Sequence, residues 1–207
     1  MKNVLSRLIL DRRASSAAEF ALVLPLLLIF LLGIIDVGRL MWTWNMAEKA
    51  TQAGVRYAVV TSVVSSGLFD YRFTVDGGVG QGNAVPTAVF DHLICTEGND
   101  CSDCVGSACD EIEPSLDSDA FTGLIDRMHM MYPQISAGSV EVEYQNIGLG
   151  YAGDPNGSDV SPLITVRIRP DSLSFRPILF SLFGGTISLP SFSAALTMED
   201  GQGTVAN

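Results

Sequence analysis

The chain has 207 residues, 47% of them hydrophobic, and a formal net charge of −11. That length suffices for one modest domain plus an anchoring element. Residues 1–14 hold four bases and one acid, whereas residues 15–207 hold 8 bases and 22 acids, a net charge of −14. Because so acidic a body repels phosphate backbones, the composition argues against nucleic acid as a partner.

The N-terminal segment is basic and precedes a long apolar run. Residues 1–14 are predicted to be a cytoplasmic leader, because Lys and Arg collect on the cytoplasmic flank of a membrane helix. Residues 20–35 carry no charge, and a helix extended to about residues 17–38 nearly spans the ~30 Å hydrocarbon core. The sequence that follows, IIDVGRLMWTW, is a poor signal-peptidase site. We therefore predict a retained single-pass helix.

Helix-compatible sequence continues beyond the apolar run, so the long helix is assigned to residues 15–66. A row of small residues three or four positions apart shares one face of it: Ala47, Ala50, Gly54 and Ala58. Small faces permit close approach of membrane helices, so the row is predicted to be a helix-packing face. The alternative is surface alanine on an ordinary helix. Trp42 and Trp44 are placed where an aromatic belt would mark the exit from the bilayer.

The remaining residues, 67–207, are predicted to form a small external α+β domain. A short helix is expected over residues 86–94 and a second helix over residues 119–131, where apolar residues recur at helical spacing. Pro133 stops the second helix. The segment of residues 178–183 is apolar enough for a buried turn or a membrane-facing loop.

Alternating patterns near the C-terminus predict an antiparallel sheet. Val140, Val142 and Tyr144 alternate with polar residues, as do Ile164, Val166 and Ile168. A turn-rich loop joins the two runs, so we expect a hairpin with Glu141 and Glu143 opposite Arg167 and Arg169. A third strand is expected over residues 186–198, where Pro190 confines it to an edge or a bulge.

Four cysteines lie within fifteen residues: Cys95, Cys101, Cys104 and Cys109. In an exported domain this predicts a disulfide-rich loop over residues 95–109 with two bridges, and all three pairings stay open. A zinc site is the alternative, with Cys101 and Cys104 as a CxxC pair and His92 as a further ligand. A thioredoxin-like redox role is weaker, because the pair lies in a Gly/Asp loop.

No catalytic pattern emerges from the rest of the chain. Asp154, Asn156 and Asp159 resemble part of a calcium loop, but the glycine and glutamate of the full spacing are missing, so a plain turn is preferred. His92 and His129 have no nucleophile partner in any motif context. The sequence therefore predicts a protein that is not an enzyme and needs no metal or cofactor.

Two blocks of the N-terminal region carry a family resemblance. Residues 11–25 read DRRASSAAEFALVLP, and GIIDVGRLMWTWNMAEKATQAGVRYA follows. Together they resemble the head of TadE-like proteins, minor pseudopilins of the tight-adherence (Tad) pilus system. The likeness covers about residues 11–58, and a looser one is found in SLPSFSAALTMED.

The resemblance implies processing by a prepilin peptidase on the cytoplasmic side. The cut would fall between Ala14 and Ser15, so Glu19 would be the fifth mature residue. The family usually has glycine before the cut, and Ala14 is the next smallest residue. Glu19 would pair with a free α-amino group and set the register between subunits; the alternative is an interfacial glutamate reaching the headgroups. Pro25 removes one helix hydrogen bond and is interpreted as a kink. It would either let the helix bend when the subunit leaves the bilayer for a filament or be a purely structural kink.

The resemblance also implies a role. We expect a non-enzymatic minor pilin or pseudopilin in the assembly of a Tad-type pilus for adherence or secretion. Its partners would be other pilin and pseudopilin subunits through the N-terminal helix, a prepilin peptidase and the lipid of the bacterial inner membrane. The C-terminal domain would be periplasmic or incorporated into an extracellular pilus. The rivals are an uncleaved, membrane-anchored periplasmic binding module and a thiol or metal enzyme, which would need free thiols.

Overall fold

The computed structural model describes residues 12–154, 158–181 and 184–198. A long N-terminal helix is followed by a small domain with a five-stranded antiparallel sheet, which confirms the predicted α+β class. The elements are α1 (Arg12–Ala58), α2 (Ser66–Asp70), β1 (His92–Thr96), β2 (Asp100–Val105), α3 (Ser118–His129), β3 (Val140–Gln145), β4 (Leu163–Ile168), β5 (Ser174–Phe175), α4 (Ile178–Ser181), β6 (Ile187–Ser188) and β7 (Phe192–Thr197). Single 3-10 turns occur at Ser107–Asp110 and Ala137–Ser139.

The chain divides into two compact units. The first comprises Met1–Thr43 and Phe175–Ile187, and the second comprises Trp44–Ser174 and Ser188–Asn207. Within the first unit the described structure is the N-terminal part of α1 and the short helix α4 with its flanks. The second unit contains the C-terminal part of α1, the five-stranded sheet and α3.

The sheet of the second unit has the strand order β2-β1-β3-β4-β7, with every neighbouring pair antiparallel. The predicted hairpin of β3 and β4 is confirmed, and Glu141 lies opposite Arg167. Arg167 bridges both glutamates, at 3.7 Å from Glu141 and 3.3 Å from Glu143, and Arg169 reaches Glu141 at 3.7 Å. The alternating pattern thus places its apolar residues in the core and its charges on the other face.

Helix α3 forms where the helical spacing predicts it. Asp117 caps its N-terminus by accepting hydrogen bonds from the backbone N–H groups of Asp119 and Ala120, each at 3.0 Å. Its apolar face is buried and consists of Phe121, Leu124, Ile125 and Met128. The helix ends at His129, four residues before the proline.

Helix α1 ends at Ala58 rather than continuing to residue 66. The next residues, VVTSVV, are mostly β-branched and lose side-chain freedom in a helix. The structure offers their backbone other partners: the N–H of Val64 donates to the buried hydroxyl of Tyr144 at 2.8 Å. Ser65 then caps α2 by accepting from the N–H of Leu68 at 3.2 Å.

Two further assignments differ from the sequence prediction. The helix expected over residues 86–94 is wrong: a turn at Pro86 leads into β1, because Leu93 and Cys95 are buried where the strand pairs with β3. The strand expected over residues 186–198 is split into β6 and β7, with Pro190 between them. Proline lacks the N–H that a continuous ladder would need. Strand β7 lies at the sheet edge, as expected for this segment.

Candidate functional site: the exposed half of the long helix

Most large apolar side chains of residues 16–42, here called the exposed half of α1, have no cover from the chain itself. Leu22 is 80% exposed and Phe30 is 69% exposed. Among the described residues, one helix is long and apolar enough to cross a membrane, and its most apolar window has a mean hydropathy of 2.8. A helix that is apolar all round needs an apolar environment. The exposed half is therefore the candidate interaction surface.

The structure places the predicted processing residues at the start of this surface. Ala14 and Ser15 lie in the first turn of α1, which begins at Arg12; the rest of the predicted leader, residues 1–11, is outside the described residues. Glu19 follows within the next turn and is exposed. Pro25 lies inside α1, which continues past it. These four residues thus share one end of one helix.

Asp36 is nearly buried, 7% exposed, in the middle of α1. Its carboxylate accepts hydrogen bonds from the backbone N–H groups of Ile178 at 2.7 Å and Leu179 at 2.9 Å, and from the Arg39 guanidinium at 3.1 Å. Arg39 also donates to the carbonyl of Arg176 at 3.4 Å. These bonds tie the segment Phe175–Ile187 to α1 within the first unit, and we call them the Asp36 latch.

An apolar groove of about 220 Å³ adjoins the latch. It is lined by Gly33, Asp36, Val37, Leu40, Phe175, Pro177, Leu179 and Ile187. The Arg39 guanidinium lies 5.2 Å from the centre of the Phe175 ring, a cation–π distance. The sequence analysis did not identify Asp36 or its partners. The available signal was a carboxylate within an apolar helix, which requires donors.

The row of small residues on α1 faces inward rather than toward a neighbour. Ala47 and Ala50 are fully buried, Ala58 is 3% exposed and Gly54 is buried. A Cβ on Gly54 would lie 2.9 Å from Cγ of Met128 and 3.4 Å from Cγ1 of Val166. The small face therefore lets the chain's own α3 and β4 approach closely. The row was predicted to be a helix-packing face, and in the structure the space beside it is filled by the chain's own side chains.

The four cysteines form two disulfides, as predicted. Cys95 pairs with Cys101, and Cys104 pairs with Cys109. The predicted loop is instead a hairpin: Cys95 lies in β1, while Cys101 and Cys104 lie in β2. A zinc site at the thiols is ruled out by these bonds. His92 instead contacts the carboxylate of Asp91 at 2.8 Å through Nδ1.

The contacts of Asp159 favour a plain turn over a calcium loop for the stretch that contains Asp154 and Asp159. Asp159 is fully buried and accepts from the N–H groups of Phe73 at 2.8 Å and Gly153 at 3.0 Å. Its carboxylate thus serves backbone amides; Asn156 is outside the described residues. Within residues 12–154, 158–181 and 184–198, no group of three or more His, Cys, Asp or Glu is arranged to hold a metal ion.

Comparison with known proteins gives one finding. Residues 14–56 match the family model of TadE-like proteins. The match begins at the residue before the predicted cut and covers the exposed half of α1 and most of its buried continuation. No curated protein matches the chain, and no solved structure matches it. The resemblance inferred from the sequence is thereby confirmed: over residues 14–56 the chain is similar to TadE-like proteins.

Proposed function

We propose that the chain is a minor pilin or pseudopilin that is anchored in the bacterial inner membrane by α1 and acts in the assembly of a Tad-type pilus. The proposal rests on one observation: the residues that match the TadE-like model overlap the residues whose large apolar side chains are exposed. The TadE-like match covers residues 14–56, and the large apolar side chains within its first part are exposed. The first part of the matched segment therefore needs an external apolar partner.

The exposed half supplies the driving force for this role. Each large apolar side chain transferred from water to an apolar environment contributes about 1.5–3 kcal/mol. Lipid provides that environment before assembly, and the helices of neighbouring subunits provide it in a filament. Because the small row from Ala47 to Ala58 is occupied by the chain's own core, subunit contacts through α1 are assigned to the exposed half.

Glu19 sets the register of those contacts in the proposed mechanism. A carboxylate costs roughly +2.5 to +3.5 kcal/mol at the bilayer centre and less near an interface. Cleavage before Ser15 creates an α-amino group only one turn away from Glu19 on the helix. Pairing of the carboxylate with this amine, or with that of a neighbour, offsets the cost and favours one axial position between subunits.

Two features support an external C-terminal domain. Residues 1–14 are basic while residues 15–207 are acidic, which favours a cytoplasmic N-terminus. Both disulfides lie in the second unit, and disulfides persist in oxidising compartments such as the periplasm. The TadE-like pilus family is a structural, non-enzymatic kind of protein, which supports a role without catalysis.

The test is the N-terminus of the protein extracted from its native membrane. Intact mass and peptide mapping should find a chain that begins at Ser15. Ala14→Leu should block the cut because a bulky side chain obstructs the peptidase, whereas Ala14→Gly should preserve it. Ala17→Leu adds the same bulk beyond the cut and serves as the matched control.

A chain that retains residues 1–14 in a strain with an active prepilin peptidase contradicts the proposal. The protein would then be an uncleaved, membrane-anchored binding module, and Glu19 would have no new amine to pair with. A second readout is assembly itself. A strain lacking the protein should lose pili, and the Ala14→Leu variant should fail to restore them.

A further inference from the structure

We infer that the described part of the segment Phe175–Ile187, which is residues 175–181 and 184–187, is a second lipid-contacting element, held at the membrane surface by the Asp36 latch. The inference rests on the proposed membrane anchoring by α1 and adds a partner for a part of the chain outside the TadE-like match. The occupant of the apolar groove is then the acyl region of the bilayer that α1 crosses.

The first support is composition. Residues 177–187 read PILFSLFGGTI and contain no charged residue, although 17% of the chain is charged. Arg176 precedes this stretch, where an arginine can keep its head in the polar region while its stem lies along apolar surface. An uncharged apolar stretch of this kind is unusual for a water-facing loop of an acidic protein.

The second support is exposure. Ile178 is 39% exposed and Ile187 is 42% exposed, so apolar side chains of the segment point away from the chain's own core. The groove beside them is lined almost entirely by apolar side chains. Exposed apolar surface of this kind marks an interaction site.

The third support is continuity with the exposed half of α1. The groove is lined on one side by Gly33, Val37 and Leu40, which recur at helical spacing on α1, and on the other by the segment. The lipid that covers the exposed half therefore reaches the groove without crossing a polar boundary. This continuity favours lipid over a separate protein partner.

The fourth support is the way polar groups are satisfied. Backbone N–H groups within or beside hydrocarbon must find partners inside the protein, and a carboxylate there must be hydrogen-bonded. The Asp36 carboxylate meets both needs, since it accepts from the N–H groups of Ile178 and Leu179 and from Arg39. In a loop surrounded by water, solvent could hydrogen-bond these groups and the latch would not be needed.

The test uses the full chain in liposomes whose phospholipids carry bromine on their acyl chains, which quench tryptophan by contact. One protein keeps Trp42 as its only tryptophan through Trp44→Phe and reports on α1. A second carries Ile178→Trp with Trp42→Phe and Trp44→Phe. The matched control carries Val105→Trp in the same background, because Val105 is 46% exposed in β2 and belongs to the second unit.

The expected result is strong quenching of Trp42 and of the Ile178→Trp protein, with a several-fold smaller loss of fluorescence in the Val105→Trp protein. Quenching of Trp42 without quenching of the Ile178→Trp protein overturns the inference and leaves the anchoring by α1 intact. Quenching of neither overturns both. Blue-shifted emission from the Ile178→Trp protein without quenching shows that protein rather than lipid covers this position, and it also overturns the inference.

The latch is tested by adding Asp36→Ala to the Trp42 and Ile178→Trp proteins. Quenching of the Ile178→Trp protein should fall toward the Val105→Trp level while Trp42 stays quenched, because the segment loses its attachment. Asp36→Asn keeps one acceptor oxygen and should give an intermediate loss. Unchanged quenching after Asp36→Ala would show that Asp36 does not hold the segment at the membrane.

Discussion

The two halves of helix α1 differ in the size of their side chains and in what surrounds them. In residues 16–42 the side chains are large and exposed, as Leu22 and Phe30 show. In residues 47–58, which we call the buried half, the small row is covered by the chain's own core, and Ala47 and Ala50 are fully buried. The large apolar side chains thus need an apolar partner outside the chain, whereas the small side chains allow the chain's own core to pack against the helix. Apolar character alone does not distinguish the two roles.

The same contrast is found at two glycines of the helix. A Cβ on Gly33 would have no heavy atom within 4 Å, whereas one on Gly54 would lie 2.9 Å from Met128. The two positions therefore allow the same substitution to be made in open space and in a filled core.

A charge in the exposed half should have the largest effect. Leu27, 55% exposed, lies in the middle of the uncharged run, and Leu27→Arg should cost roughly 2.5–3.5 kcal/mol of membrane insertion. That is about a 10²-fold loss in partition, measured as the fraction retained in carbonate-washed membranes. Leu27→Ala should be retained. Retention of Leu27→Arg would show that the exposed half is not in lipid.

Overpacking in the buried half should destabilise the second unit instead. Gly54→Leu should cost about 1–3 kcal/mol, which lowers the Tm by roughly 2–12 °C for a chain of this size. Gly33→Leu is the matched control, because it gains the same helix propensity without meeting a neighbour. Thermal unfolding in detergent measures both. Equal Tm values for the two variants would contradict the difference in packing between Gly54 and Gly33.

The backbone that follows the buried half depends on one buried hydroxyl, that of Tyr144. Tyr144→Phe removes the acceptor of the Val64 N–H and leaves a buried donor unpaired, at a cost of about 1–3 kcal/mol. Chemical denaturation should show the loss. Tyr151→Phe is the control, since Tyr151 is 43% exposed. A Tyr144→Phe protein as stable as the control would mean that another group satisfies Val64.

Alkaline pH should weaken the second unit gradually. Burial, followed by the Glu111 carboxylate, raises the pKa of Tyr71 from 10.0 to about 12, and burial also raises the pKa of Tyr144. Above pH 10 the unfolded chain releases phenol protons that the folded chain retains, so the free energy of unfolding falls as the pH rises toward 12.

Denaturant unfolding at a series of pH values checks this prediction. Tyr71→Phe should flatten the decline, because one of the phenols with a raised pKa is removed. The exposed half contains no tyrosine, so membrane retention should not follow the same curve. A free energy of unfolding that stays constant from pH 10 to 12 would contradict the prediction.

Local patterns predicted the elements that local physics controls. The spacing of Phe121, Leu124 and Met128 predicted α3, and the alternation of apolar and polar residues predicted β3 and β4. These patterns arise because one face of each element is buried and the other faces solvent. Strand β1 was missed because its short apolar run suits a helix equally well. Pairing with β3, about fifty residues away, decided for the strand.

By itself, the sequence determined the long apolar helix, its TadE-like character and the α+β class, because composition and periodicity express them within short windows. The tertiary structure decided which cysteines pair, which face of α1 is covered and what satisfies Asp36. The last of these joins residues 142 and 143 positions apart. Such contacts form between segments that are far apart in the sequence, so a short sequence window cannot predict them.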